Sequence, residues 1–218
     1  MSVVTIERKV LEKNDEIAMK NRARFAERKV FAVNIVSSPG SGKTSILERT
    51  LDHFQGKVPA AVIEGDVQTD LDAQRIAKHG VPVVQVVTNG MCHLEAKFVA
   101  DSFDAFDGTE VRLLIIENVG NLVCPSGYDL GEAHKIVVLS TTEGDDKPLK
   151  YPAMFRNASV LLINKIDLVP YVNCDPDLMT RNALTVNPKL TVFRLSCTTG
   201  EGIAEWCAWL QRHVDALG

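Results

Sequence analysis

Apolar residues fall into short unbroken runs along this chain, at residues 30–36, 60–63, 81–87, 111–117, 135–140, 159–163 and 190–195. Each is the length of a buried strand, and Val and Ile dominate most of them. Segments of helical spacing lie between the runs, at 45–51, 71–79, 95–103 and 203–214. Another, bounded by Asp175, Pro176 and Pro188, reads as a structural helix. Strand and helix in alternation predict a mostly parallel central sheet with helices on both faces. Residues 5–28 differ. Ile6, Val10, Leu11, Ile17, Ala18 and Phe25 are interleaved with charge, with no Gly or Pro. This stretch predicts a helix that either packs on the domain or serves as a docking arm. The expected division is an arm over 1–29 and a single domain over 30–218.

The turn after the first run carries the clearest chemistry. Ser37-Ser38-Pro39-Gly40-Ser41-Gly42-Lys43-Thr44 stands between a strand and a helix, the context of a phosphate-binding loop. Backbone N–H groups and a helix N-terminus surround a phosphate only where the loop carries little bulk. Gly40, Ser41, Gly42, Lys43, Thr44 and Ser45 are therefore the expected phosphate contacts. Lys43 adds charge for the β- and γ-phosphates, and Thr44 a hydroxyl for Mg²⁺. Ser37 stands where the first glycine is usual. The fold class that follows is a three-layer α/β phosphate-loop NTPase.

The later strand ends extend this site. Asp66, just past the second run, is placed to orient the attacking water or to hold magnesium through water. Thr69 or Asp70 reads as the cap of the next helix. Glu117 ends the fourth run and is the second magnesium candidate, and Gly120 offers a backbone N–H to sense the γ-phosphate. Asn164-Lys165-Ile166-Asp167 reads guanine. The Asp167 carboxylate accepts from the ring N–H and the exocyclic amine, a donor pair that adenine lacks. Ser196 and Cys197 stand where a backbone N–H meets the guanine oxygen. The nucleotide is therefore read as GTP or GDP.

Cys92 and His93 sit at a loop-to-helix junction, and Cys124 lies four residues beyond Gly120. Alone, the Cys-His pair is weak, and a buried cysteine is the simpler reading. Together the three form a soft N/S set suited to Ni²⁺ or Zn²⁺. His134, Trp206 and Trp209 read as core. The polar stretch 141–152 reads as a solvated loop whose Lys147 or Lys150 could reach a nucleotide, in cis or across a dimer.

The net charge is −4, with no basic tract, which argues against nucleic acid as a partner. No apolar run is long enough for a membrane helix. The N-terminus is too charged for a signal peptide. Five scattered cysteines suit reduced thiols in the cytoplasm.

The motifs, taken in order, resemble the HypB family, GTPases that help insert nickel into nickel-iron hydrogenase. The resemblance rests on the phosphate loop, Glu64-Gly65-Asp66, Met91-Cys92-His93-Leu94, the run from Glu117 to Pro125, the run from Thr142 to Pro152, and Asn164-Lys165-Ile166-Asp167. It covers nearly the whole chain. It implies a GTPase that dimerises face to face with nucleotide bound, with metal on Cys92, His93 and Cys124 near the dimer surface. It implies a HypA-type nickel chaperone docking on the N-terminal arm and a hydrogenase large-subunit precursor as the recipient. No Cys-x-x-Cys-Gly-Cys and no histidine tract precede His53, so storage of nickel at the N-terminus is not expected. Ser38 replaces a lysine that some relatives carry in the phosphate loop, and Lys150 is the expected substitute, acting on the partner subunit's nucleotide. Two alternatives stay open. One is a urease-type nickel GTPase, disfavoured by the absence of a proline between Cys92 and His93. The other is a metal carrier in which nucleotide is only structural.

Overall fold

The computed structural model describes residues 6–68 and 70–218, with the side chains of 6–9 left aside. Seven strands form one sheet: β1 (Phe31–Ser37), β2 (Ala60–Asp66), β3 (Val83–Val87), β4 (Leu113–Glu117), β5 (His134–Ser140), β6 (Val160–Asn164) and β7 (Thr191–Arg194). Their order is β3-β2-β4-β1-β5-β6-β7, and every pairing is parallel. The inner strands β1, β4 and β6 are buried along their whole length, whereas the edge strands β3 and β7 are partly open. A parallel sheet covered on both faces requires this, which is why its central strands read as unbroken apolar runs.

Helices α1 (Ile6–Glu27), α2 (Lys43–Phe54), α3 (Leu71–Ala77), α4 (Ala96–Asp104), α5 (Lys147–Lys150), α6 (Pro152–Arg156), α7 (Pro176–Val186) and α8 (Ile203–Asp215) cover the sheet. One face packs Phe31, Val33 and Ile35 of β1 against Ile46, Leu47 and Leu51 of α2, with Trp206, Trp209 and Leu210 of α8. The other packs Ala32, Ala61 and Ile63 against Phe25 of α1 and Val99 and Phe103 of α4. A further cluster joins β5 and β6 to Met154, Phe155, Met179 and Ala183.

Helix α1 lies along α4. Its buried positions are Asn14, Ala18, Asn21 and Phe25, one stripe at helical spacing in which two of the four side chains are amides. Asn14 Oδ1 accepts from the Ala96 N–H at 2.8 Å, and Asn14 Nδ2 donates to the Asp129 carbonyl at 2.8 Å. Asn21 Nδ2 donates to the carbonyls of Ala96 and Leu130 at 2.8 and 3.0 Å. Gly131 lies hard against α1: a Cβ there would stand 2.6 Å from Asn21 Cβ and 2.7 Å from the Ala18 carbonyl oxygen.

Several element boundaries depart from the sequence reading. The stretch 141–152 is not an open loop. It folds into a 3₁₀ turn closed by a Ser140–Glu143 capping box, followed by α5. Its turns pack locally, through Pro148, and leave little apolar periodicity to read. Asp70 occupies the N-cap of α3 without a side-chain cap bond, and Thr69 lies outside the described residues. His134 opens β5 half-buried, its Nδ1 2.9 Å from Ser159 Oγ and its ring near Trp209 and His213. Trp206 and Trp209 are core, and Trp206 Nε1 donates to Thr50 Oγ1 at 3.0 Å.

Candidate functional site

The carboxyl ends of β1, β2 and β4 open onto one cavity of about 510 Å³. Its walls include Gly40, Gly42, Lys43, Thr44, Asp66 and Gly120. Strand β1 is flanked by β4 and β5, so the chain crosses to either side of it at this point, and open α/β sheets bind ligands at such a switch.

The 37–44 loop wraps the mouth of this cavity. Gly42 has φ +95°, and any Cβ there would collide with Asn164 Nδ2. Only glycine fits, and it leads directly into α2. The loop is held from inside: Ser41 Oγ donates to Glu143 Oε1 at 2.6 Å, Asn164 Nδ2 to the Ser41 carbonyl at 2.9 Å, and Lys165 Nζ to the Gly40 carbonyl at 2.7 Å. Lys43 Nζ donates to Ser37 Oγ at 3.0 Å, so the serine that replaces the usual glycine holds the lysine head. Ser45, in the first turn of α2, lies with its Oγ 3.5 Å from Arg75 Nη2.

At the cavity floor, Thr44 Oγ1 donates to Glu117 Oε1 at 2.9 Å. Carboxylate oxygens of Glu64, Asp72 and Glu117 converge to within 4.8 Å of one another. Burial raises the Glu117 carboxyl to about 7, against the pull of Lys43 and Thr44. Burial, and then repulsion from Glu117, raises Glu64 to about 8. Glu64 Oε2 and Glu117 Oε2 are buried and make no hydrogen bond among the described residues. Orphaned hard oxygens beside a threonine hydroxyl fit a magnesium ion. Asp66 lines the same cavity, half-buried, and its carboxylate accepts from the Val67 N–H. Sequence reasoning reached Thr44, Asp66 and Glu117 but missed Glu64, Asp72 and Arg75. Glu64 lies inside the second strand, in line with an apolar run, and only its depth sets it apart. Asp72 and Arg75 sit on α3, where Arg75 also pairs with Glu48 at 2.6 Å.

At the base end, Asn164 Oδ1 accepts from the Lys165 N–H at 2.8 Å and lies 3.6 Å from Cys197 Sγ. Lys165 adopts a left-handed conformation (φ 61°), which sends the chain into the turn bearing Asp167. Ser196 Oγ accepts from the amides of Thr198 and Thr199 at 3.2 and 3.1 Å. The Asn-Lys-x-Asp turn and the Ser196-Cys197 turn thus stand side by side. Burial raises the Cys197 thiol to about 11 and keeps it neutral.

A second cluster lies beside the cavity. One ligand atom each from Cys92, His93 and Cys124 falls within 4.8 Å of the others. Cys92 Sγ is 3.8 Å from His93 Nδ1. The Cys92 thiol is raised, mainly by its contact with Cys124. Burial lowers His93, whose Nε2 has no hydrogen-bond partner among the described residues. The His93 ring lies 3.9 Å from the Tyr128 ring. Two thiols and a neutral imidazole, whose Nε2 lies 3.9 Å from Glu95 Oε1, fit a soft or borderline cation. The loop between the two sites is short. Gly120 packs on Pro39 of the phosphate loop, with 3.2–3.3 Å to any Cβ, and Asn121 Nδ2 donates to the Cys92 carbonyl at 3.4 Å.

Lys150 stands apart from both clusters. It is exposed on α5 and pairs with Asp146 at 2.5 Å, while Lys147 lies 3.6 Å from Glu143.

The chain matches the model of the CobW/HypB/UreG nucleotide-binding domain over residues 31–194. It is 52% identical over 214 residues to the hydrogenase maturation factor HypB of Azotobacter chroococcum mcd 1, spanning 98% of this chain and 70% of that one. The crystal structure of HypB from Helicobacter pylori in complex with nickel superposes with a TM-score of 0.89 at 39% identity, covering 94% of this chain and 96% of that one. The HypB structure from Archaeoglobus fulgidus gives 0.88 at 36% identity, with 93% and 99% covered. Both clusters of side chains lie within the matched fold, and the chain belongs to the HypB family of phosphate-loop GTPases within the CobW/HypB/UreG group.

Proposed function

We propose that this GTPase is a metallochaperone whose nucleotide state controls a metal cargo held by Cys92, His93 and Cys124. The cargo is nickel destined for a nickel-iron hydrogenase; the same donors also suit zinc. The observation that carries this reading is the convergence of the three soft ligands at one end of a loop whose other end, Gly120, rests on the phosphate loop.

The reaction is GTP plus water to GDP plus phosphate. Loop amides and Lys43 hold the phosphates, with Gly40, Ser41, Gly42 and Ser45 around them. Asn164, Lys165 and Asp167 hold guanine, with the Ser196-Cys197 turn against it. Thr44, Glu117 and Glu64 would hold magnesium, with Asp66 nearby through water. The ion would supply charge neutralisation at the phosphates. Asp66 orients the attacking water, and the Gly120 N–H senses the γ-phosphate. Arg75 lines the cavity but is paired with Glu48 and Asp72. Turnover is therefore slow until a second protein or subunit completes the site, since a free arginine finger is worth about 10³-fold or more.

The HypB relatives are hydrogenase maturation factors and one is solved with nickel, which supports nickel as the cargo. The family resemblance further implies a GTP-bound homodimer, a HypA-type donor on the N-terminal arm and a hydrogenase large-subunit precursor as acceptor, all in the cytoplasm. No helix among the described residues is long and apolar enough to cross a membrane. Nickel affinity should differ between the GDP form and a GTP-analogue form. Titration calorimetry giving equal affinities would remove the coupling, because a ligand without preference between two states shifts neither. Lys150, free of the cis cavity, reaches the partner subunit's nucleotide in the dimer. Lys150→Ala should lower GTP-dependent dimerisation measured by light scattering, and undiminished dimerisation and turnover would rule that role out.

A further inference from the structure

Leu94 follows the Cys92-His93 pair and is tied to the nucleotide cavity from two sides. Its backbone N–H donates to Asn118 Oδ1 at 3.0 Å. Its side chain is fully buried against Gly65, where an added methyl would lie 2.8 Å from Leu94 Cδ1 and Cγ. Gly65 stands between Glu64 and Asp66, and Asn118 follows Glu117; all of these line the phosphate cavity. The tie is separate from the 120–124 loop and joins the pocket directly to the other half of the metal cluster.

Asn118 is held in a single orientation. Its Oδ1 accepts from both the Leu94 N–H and the Val119 N–H, each at 3.0 Å. Its Nδ2 donates to Asn34 Oδ1 at 3.2 Å. Asn34 Nδ2 donates in turn to Glu132 Oε1 at 3.1 Å, and Glu132 Oε2 accepts from the Leu130 N–H at 2.7 Å. Asn118, Asn34 and Glu132 are all buried. A buried polar group left unpaired is costly, so neither of the two amides on Asn118 Oδ1 is readily released. Val119 opens the segment that reaches Gly120 and the phosphate loop. One oxygen shared between Val119 and Leu94 makes a shift of the first segment a strain on the second.

We propose that Asn118 is the positioning residue that transmits nucleotide state to Cys92 and His93, by way of the Leu94 amide. This rests on the reading of the Cys-His-Cys cluster as a nucleotide-controlled cargo site. A residue that merely closes a buried strand end would, on removal, weaken nickel binding equally in both nucleotide states. A transmitting residue changes the ratio between them.

The test measures nickel dissociation constants of the full chain by competition with a chromophoric chelator, with GDP and with a non-hydrolysable GTP analogue. The wild-type ratio should fall in the range of about 5- to 150-fold typical of coupled sites, and Asn118→Ala should bring it to within about twofold of unity. A wild-type ratio preserved in Asn118→Ala, whether or not both affinities fall together, overturns the role of Asn118 and leaves the cargo reading standing. No ratio in the wild type overturns both. Should Asn118→Ala not fold, Gly65→Ala tests the same tie from the other side, because its methyl must displace Leu94. A wild-type ratio in that variant overturns the proposal.

Discussion

Glu64 and Glu117 face one another in the phosphate cavity, raised by burial to about 8 and about 7. From the ordinary carboxylate range up to those values, the unfolded chain ionises both groups while the folded chain keeps them protonated. Folding then takes up protons, and stability falls as pH rises across the interval. On the proposed assignment, magnesium with nucleotide would favour the ionised forms and oppose the fall. The ligand-free protein should melt at a lower temperature at pH 8 than at pH 6, and Glu64→Gln should reduce that difference. Scanning calorimetry showing the same pH slope for both proteins would contradict the assignment. Gly42 illustrates a different constraint at this scale. The chain turns there because no side chain fits between the loop and Asn164, and that turn presents the α2 N-terminus to the cavity.

Helix α1 shows how an element with a modest apolar stripe can still be fixed in place. Asn14 and Asn21 satisfy backbone groups of Ala96, Asp129 and Leu130, at the start of α4 and in the turn before β5. These segments flank the two halves of the Cys-His-Cys cluster. The same helix carries surface ion pairs, among them Arg22–Asp129 at 2.7 Å with both partners well exposed. The two kinds of contact differ in weight. Asn21→Ala removes two buried hydrogen bonds and should cost about 1–3 kcal/mol. For a domain of this size that lowers Tm by roughly 2–12 °C. Arg22→Ala should cost only about 0–1 kcal/mol, because exposed pairs are screened. Thermal melts of the two variants side by side decide the point, and equal shifts would show that α1 is not held by its asparagines.

At the scale of the whole molecule, a single sheet carries both clusters at its carboxyl edge, and the Asn-Lys-x-Asp turn stands at the same edge. Any ligand that binds only the folded chain stabilises it, by about 2.7 kcal/mol at a hundred times its dissociation constant. GDP with magnesium should therefore raise the melting temperature, while ADP should not, because Asp167 finds no donor pair on adenine. Equal shifts with GDP and ADP would refute the guanine assignment.

The seven strands, most of the helices, the phosphate loop and the Asn-Lys-x-Asp turn were legible in the sequence for a local reason. Parallel strands buried on both faces are apolar throughout, and a phosphate loop must be glycine-rich whatever surrounds it. The local chain also marked Cys92, His93 and Cys124 as candidates, and what remained was whether residues so far apart in sequence would meet. That depended on β2, β4 and α4 converging. Glu64 was hidden because acidity inside a strand does not reveal depth. Asn14, Asn21, Asn34 and Asn118 were hidden because a buried amide in the sequence looks the same as a solvated one. Apart from the Val119 N–H on Asn118, their partners lie 24 to 115 residues away. Local spacing thus determined which residues could bind phosphate, base and metal. Tertiary packing alone decided that the phosphate loop and the Cys92-His93-Cys124 cluster share a wall, because only the folded sheet brings Leu94, Gly65 and Asn118 into contact.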